Sequence, residues 1–153
     1  MDAQNSSLAK FDKAVLAKKA TWWQMDLPSG DVIFGSAKSE MLGYPQSDFK
    51  HYQDFTKLLH HDDYNQAMTA MKNHLNGKNK FYDTIYRIKA KNGNYIKFYD
   101  CGQIIKKDKE NITVMGFVWK IEDGKNIEAQ VAEIKKIILD GNPSMIDLIT
   151  KIK

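Results

Sequence analysis

The groups best suited to proton, metal or thiol chemistry lie in two places, the run His60-His61-Asp62-Asp63 and the single thiol Cys101. Imidazoles and carboxylates carry protons and bind metals, but a compact metal site draws ligands spaced so that several side chains converge. Adjacent histidines supply that poorly, so no metal site is expected. Cys101 cannot form an internal disulfide, and a solitary cysteine fits a reducing compartment. The chain holds no Gly-x-Ser-x-Gly elbow, P-loop, His-Glu-x-x-His or dinucleotide fingerprint, the arrangements that hydrolytic, phosphate and nucleotide chemistry need. No catalytic residues are therefore assigned, and the chain is not expected to be an enzyme. Met68 and Met71 could line a soft pocket, although methionines at helical spacing more often fill a core.

Any such group needs a scaffold, and the apolar patterning provides one. The chain has 153 residues, 42% hydrophobic and 11% aromatic, and a domain of this size buries roughly two thirds of its unfolded surface. From Ser6 to Lys19, Leu8, Phe11 and Val15 form a narrow helical stripe,. Thr21 to Leu27 alternates, and Pro28-Ser29-Gly30-Asp31 turns it into Val32-Ile33-Phe34-Gly35, which reads as a hairpin,. Short helical pieces around Lys38 to Leu42 and Gln53 to Leu59 are interrupted by Gly43 and Pro45. A stronger helix carries Tyr64, Ala67, Met68, Met71 and Leu75, with Asp62 or Asp63 as its cap and Gly77 as its stop,.

Three strands follow, Phe81 to Ala90, Tyr95 to Ile105 and Ile112 to Ile121. Asn92-Gly93 predicts a type I′ turn with both residues at positive φ,. The strands are apolar on both faces, so each face must be covered. Beyond them Ile127, Val131, Ile134 and Ile138 form a short seam with charged flanks, stopped by Asp140-Gly141-Asn142-Pro143,. Met145 to Ile152 reads as a small closing helix or the beginning of a further segment.

The net charge of +4 comes from 23 basic and 19 acidic residues. The lysines are scattered, whereas a nucleic-acid footprint is a stripe on one element, so no nucleic-acid partner is expected. The N-terminus lacks an apolar signal region and no apolar run approaches the ~18 residues of a membrane span. A soluble, cytoplasmic protein is expected.

Several short motifs occur in a telling order: Trp23 with Asp26 and Gly30, Met41-Leu42-Gly43-Tyr44, Leu59-His60-His61-Asp62-Asp63, Tyr86-Arg87-Ile88 before Asn92-Gly93, Asp100-x-Gly102, and Gly116. With the element order, they resemble a PAS domain of the subfamily common in microbial sensor histidine kinases and chemotaxis-type signalling proteins. The likeness covers about residues 21 to 122. His61 stands where that family usually has Pro, and Lys120-Ile121-Glu122 where it often has Asp-Ile-Thr.

The resemblance implies an α+β fold, a five-stranded antiparallel sheet with short helices on one face and flanking N- and C-terminal helices. The organisation it implies is an N-terminal amphipathic helix over 1–20, a PAS core over 21–122 and a linker or signalling helix over 123–153. The implied function is a sensory or interaction domain that binds a small ligand or partner and relays through its C-terminal helix to a kinase or chemotaxis-type output domain. The alternative is a ligand-free dimerisation module with a filled core. Candidate pocket residues are Tyr82, Tyr86, Ile88, Phe98, Asp100, Val114 and Val118 from the strands, with Met68 and Met71 from the long helix. Asp100 is either the pocket's polar contact or, the favoured reading, a carboxylate satisfied by backbone in a filled core. Lys120, Ile121 and Glu122 are the candidate coupling residues, with Lys120 pairing to Glu122 or Asp123 and Ile121 packing.

No cofactor is required. Some PAS sensors hold haem through a histidine, which makes His60 a weak candidate ligand. A flavin photoreceptor of this fold needs a reactive cysteine in the helical segment, and Cys101 lies in a strand. A homodimer is expected, because the outer sheet face with Phe117 and Trp119, the Phe11 and Val15 stripe, and the Ile127 to Ile138 seam exceed what one domain need cover.

Overall fold

The computed structural model describes Lys10 and residues 13–141. Strand β1 (Ala20–Leu27) leads into β2 (Val32–Phe34) through a turn containing a cis Leu27-Pro28 bond. Helices α1 (Ala37–Leu42) and α2 (Tyr52–Thr56) flank a 3₁₀ turn at Gln46–Asp48, and the long helix α3 (His61–Leu75) follows. Strands β3 (Tyr82–Lys89), β4 (Tyr95–Asp108) and β5 (Asn111–Lys120) complete the sheet, and α4 (Ile127–Gly141) ends the described chain. The sheet is antiparallel in the order β2-β1-β5-β4-β3, the five-stranded α+β architecture expected. Leu8, Phe11, Pro143 and the Met145 to Ile152 piece lie outside the described residues.

The sheet is apolar on both sides because its two faces pack against different helices. The inner face, with Tyr86, Ile88, Phe98 and Val118, packs with Leu42 of α1 and with Phe34, Phe49 and Phe55. The outer face, with Tyr99, Cys101, Met115 and Phe117, packs against Ala14, Val15, Val131, Ile134 and Ile137. The N-terminal helical turn at 13–16 and α4 therefore lie together on the outer face of their own chain. That placement occupies much of the surface on which a dimer was expected, with Leu16 at 84% and Ile127 at 37% exposure among the large apolar residues still exposed.

Two local expectations are corrected. Asn92 is not at positive φ; only Gly93 is, at 91°. The Gly93 N–H bonds to the Ala90 carbonyl and the Ala90 N–H to the Asn94 carbonyl, closing a three-residue loop of the kind that ends in a left-handed glycine. The Lys89↔Tyr95 register leaves one residue too many for a two-residue turn. A Cβ at Gly93 would meet no atom within 4 Å, so the cost of substitution is conformational. Gly93→Val should destabilise the domain by about 1–2 kcal/mol, read as a lower denaturation midpoint at unchanged slope.

The second correction concerns the start of α3. His60, not Asp62 or Asp63, is its cap: His60 Nδ1 accepts from the Asp62 N–H at 3.1 Å. Asp63 is thereby free to grip Arg87, accepting from its Nε and a terminal nitrogen at 2.9 Å each and from its backbone N–H at 2.8 Å. This clamp holds α3 against β3, and the Arg87 guanidinium keeps the Asp63 carboxyl below the usual carboxylate range. Tyr64, placed on the apolar stripe by its spacing, is 42% exposed.

Candidate functional site

The space between the inner sheet face and α3 is not filled. A cavity of about 470 Å³ lies there, within the range that small-molecule sites occupy. Helix α3 contributes Ala67, Met68, Met71 and Leu75, at the helical spacing that puts them on one side,. The strands contribute Trp23, Tyr82, Tyr86, Ile88, Asp100 and Val118, and the short helices Lys38 and Phe55. Of the candidate pocket residues, Tyr82, Tyr86, Ile88, Asp100, Val118, Met68 and Met71 line this cavity. Phe98 and Val114 do not; both are fully buried, and Phe98 packs into the inner core behind the wall.

One polar chain crosses the apolar wall. The Lys38 ammonium donates to the Tyr86 hydroxyl at 2.6 Å, and that hydroxyl donates to Asp100 Oδ2 at 2.9 Å. The Trp23 indole N–H donates to Asp100 Oδ1 at 2.6 Å. Asp100 is thus held by side chains of the cavity wall together with the Cys101 backbone. The reason lies in β4 and β5, where Gly102 pairs with Gly116 and the Trp23 ring lies over both. A Cβ on either glycine would strike that ring and the opposing backbone, so the two glycines let Trp23 lie flat enough to reach Asp100.

Lys38 is the residue that sequence reasoning passed over. It is 7% exposed, and its Nζ sits 4.4 Å from the Phe55 ring centroid, 5.1 Å from that of Tyr86 and 5.6 Å from that of Phe98, close enough for cation–π attraction. Burial presses its ammonium down to about 8 against the opposing pull of Asp100. Asp100 is pushed above the usual carboxylate range by burial, which Lys38, Tyr86 and Trp23 only partly offset. A signal was available: Lys38 stands four residues before Leu42, on the face by which that helix docks,.

The remaining chemistry-bearing groups serve the fold. His60, His61 and Asp62 bring ligand atoms within 4.8 Å of one another, but His60 Nδ1 is already the helix cap. His60 does not line the cavity, which removes the geometric basis for a haem ligand there. His51 caps α2 and contacts the Ser29 carbonyl; buried His74 accepts from the Ile104 N–H and contacts the Asn79 carbonyl. Cys101 points to the outer face, and burial pushes its thiol up, so it is neither near the cavity nor a ready thiolate.

The end of β5 is fastened differently from expectation. Ile121 is 2% exposed and packs with Ala14, Ala20, Ile134 and Ile137. Glu122 pairs with Lys19 and Lys125, both at 2.8 Å, not with Lys120. These two ammoniums hold its carboxyl down to about 2. Lys120 faces away and is exposed, its backbone N–H donating to the Lys19 carbonyl. Sequence reasoning also missed Gln130, whose side chain accepts from the Glu122 N–H at 2.8 Å and donates to the Glu122 carbonyl at 3.0 Å. On the far side Lys135 reaches Asp83 at 3.3 Å. Among the described residues no helix is long and apolar enough to cross a membrane.

A family described as PAS fold matches residues 33–118. No curated protein matches the chain. Among solved structures, a sensory box histidine kinase/response regulator from Burkholderia thailandensis superposes with a TM-score of 0.62 at 22% identity, over 83% of this chain and 95% of that one. The N-terminal domain of a diguanylate cyclase with PAS/PAC sensor from Marinobacter aquaeolei gives 0.60 at 21% identity, over 67% and 94%. The PAS-B domain of Drosophila melanogaster Cycle, with bound ethylene glycol, gives 0.56 at 13% identity, over 66% and 99%. At these identities the likenesses establish the fold.

Proposed function

The chain belongs to the PAS-fold family, and from that premise we propose that it is a small-molecule sensory domain of a signalling protein, non-catalytic, whose cavity occupancy is passed to α4. The cavity of about 470 Å³, mostly apolar and crossed by the Lys38–Tyr86–Asp100–Trp23 chain, carries this reading. It also weighs against a dimerisation module with a filled core. Tyr82, Tyr86, Ile88, Asp100, Val118, Met68 and Met71 are its proposed contacts, with Lys38 added.

The relay follows from the sheet's alternation. Residues of β1 and β5 such as Trp23 and Val118 form the cavity wall, while their neighbours Ala20, Phe117 and Trp119 form the floor under α4,. An occupant that shifts those strands acts on both sides at once, and it biases α4 only by binding its two arrangements unequally. Ile121, Glu122 and Gln130 are the proposed fastening of that helix. The core over 21–122 with α4 as signalling helix, a kinase or chemotaxis-type output domain, and a cytoplasmic setting complete the proposal. A homodimer enters in a narrower form, resting on Leu16 and Ile127.

Titration with benzene, which enters dry apolar cavities, tests the site. Amide and methyl shifts should saturate and centre on Met68, Met71, Trp23 and Tyr86. A response spread over the surface, or none, would remove the cavity as a binding site.

A further inference from the structure

The polar groups of the cavity wall are unequally used. Asp100 is satisfied, each carboxylate oxygen holding a donor, Trp23 on one and Tyr86 on the other. The Tyr86 hydroxyl is satisfied as well, accepting from Lys38 while donating to Asp100. The Lys38 ammonium has three N–H donors and, among the described residues, one hydrogen-bond acceptor, that hydroxyl. Its other partners are the charge of Asp100, whose oxygens are taken by Trp23 and Tyr86, and the ring faces of Phe55, Tyr86 and Phe98, which attract a cation without accepting a directed bond as an oxygen does. A charged group buried at 7% exposure with donors to spare favours an oxygen acceptor, and a charged oxygen most of all.

Resting on the reading of this cavity as a ligand site, we propose that its ligand is a small carboxylic acid, bound as the carboxylate to Lys38 with an apolar body against Phe55, Met68 and Met71. Much of the remaining lining complements such a body: Leu27, Val32, Leu59 and Leu75 surround the same space, with Thr21, Thr56, Lys72 and Asn76 as further polar members. The volume of about 470 Å³ suits one molecule of modest size rather than a large prosthetic group. Lysine reads charge without demanding a planar fork, so the recognised feature is the oxyanion and the body sets the fit.

Octanoate and 1-octanol share a chain and differ at the head, which makes them the probes. Calorimetry should show octanoate binding the wild-type domain about tenfold or more tightly than 1-octanol, the margin a charge-assisted bond gives. Lys38→Met should remove that margin, weakening octanoate far more than 1-octanol, whose hydroxyl loses a weaker bond than a carboxylate does. Lys38→Gln, closer in shape and still polar, repeats the test if the methionine variant shows a lowered unfolding midpoint. Equal binding of the two probes to the wild type, or unchanged octanoate affinity in both variants, would overturn the headgroup assignment while leaving the cavity site standing. If neither probe binds, the assignment also falls, and the benzene titration separately decides the fate of the cavity reading.

Discussion

Asp100→Ala is expected to cost the domain about 3–5 kcal/mol, because it strands the buried Lys38 ammonium without its counter-charge. Lys38→Met in the same chain should recover most of that loss. Lys38→Met alone should cost far less than Asp100→Ala, since Asp100 keeps the Trp23 and Tyr86 donors and its raised pKa lets it take up a proton. Denaturant midpoints of the three variants give the cycle directly. The pH dependence gives an independent sign. Lys38 titrates near 8 in the folded domain against an ordinary 10.5, so between those values the unfolded chain binds more protons and stability must rise with pH. That rise should stop near pH 9, where an ordinary thiol ionises while buried Cys101 resists, and turn into a fall near 10, where the ordinary tyrosine pKa is reached while Tyr82 and Tyr86 resist ionisation in the fold. In Lys38→Met the rise between about 8 and 9 should vanish. A flat profile in the wild type would mean that the ammonium is hydrated rather than buried.

Ile121→Ala should be the next most damaging change, at roughly 2–5 kcal/mol for a buried isoleucine truncated in a packed cluster. Its effect should be local first. Ile121 sits where β5 ends, touching Ile134 and Ile137 of α4 on one side and Ala14 and Ala20 on the other. Amides of α4 should therefore exchange faster while those of β4 and β5 stay protected. Gln130→Ala, which breaks both bonds to the Glu122 backbone, should have the same signature at about 1 kcal/mol. Lys120→Ala should do nothing measurable, because that side chain is exposed and Glu122 pairs elsewhere. Equal loosening by Lys120→Ala and Ile121→Ala would replace packing with an electrostatic latch.

The sheet was readable from sequence because period-two patterning and turn residues are local signals, and the strands of Tyr82, Phe98 and Val118 fall where alternation puts them. Register is less local. Asn92-Gly93 serves a two-residue turn or the end of a three-residue loop equally well, and the pairing of Lys89 with Tyr95 decides between them. The motif residues Trp23, Asp100, Gly102 and Gly116 could be seen, but not the reason for them. The indole crosses two glycines to reach a carboxylate 77 residues away, a contact that only strand pairing creates. Lys38 was missed for a related reason: a lysine on a six-residue helix reads as surface until Phe55 and Tyr86 close over it. The Ile127, Val131, Ile134 pattern showed that α4 must dock, yet an apolar seam carries no label for its partner, and the partner is the chain's own sheet.

The claim that cavity and α4 are coupled can be tested without knowing the ligand. Ala67 is 6% exposed and lines the cavity from α3, so Ala67→Phe puts a ring into that space in place of an occupant. Residue-resolved hydrogen exchange of this variant beside the wild type is the most direct measurement, with loss of benzene binding as the check that the cavity is filled. The account predicts a several-fold change in exchange across Ile127–Gly141 with the protection of β4 and β5 preserved. Identical α4 exchange in the filled and unfilled domains would contradict it, leaving a cavity that senses nothing the helix can report.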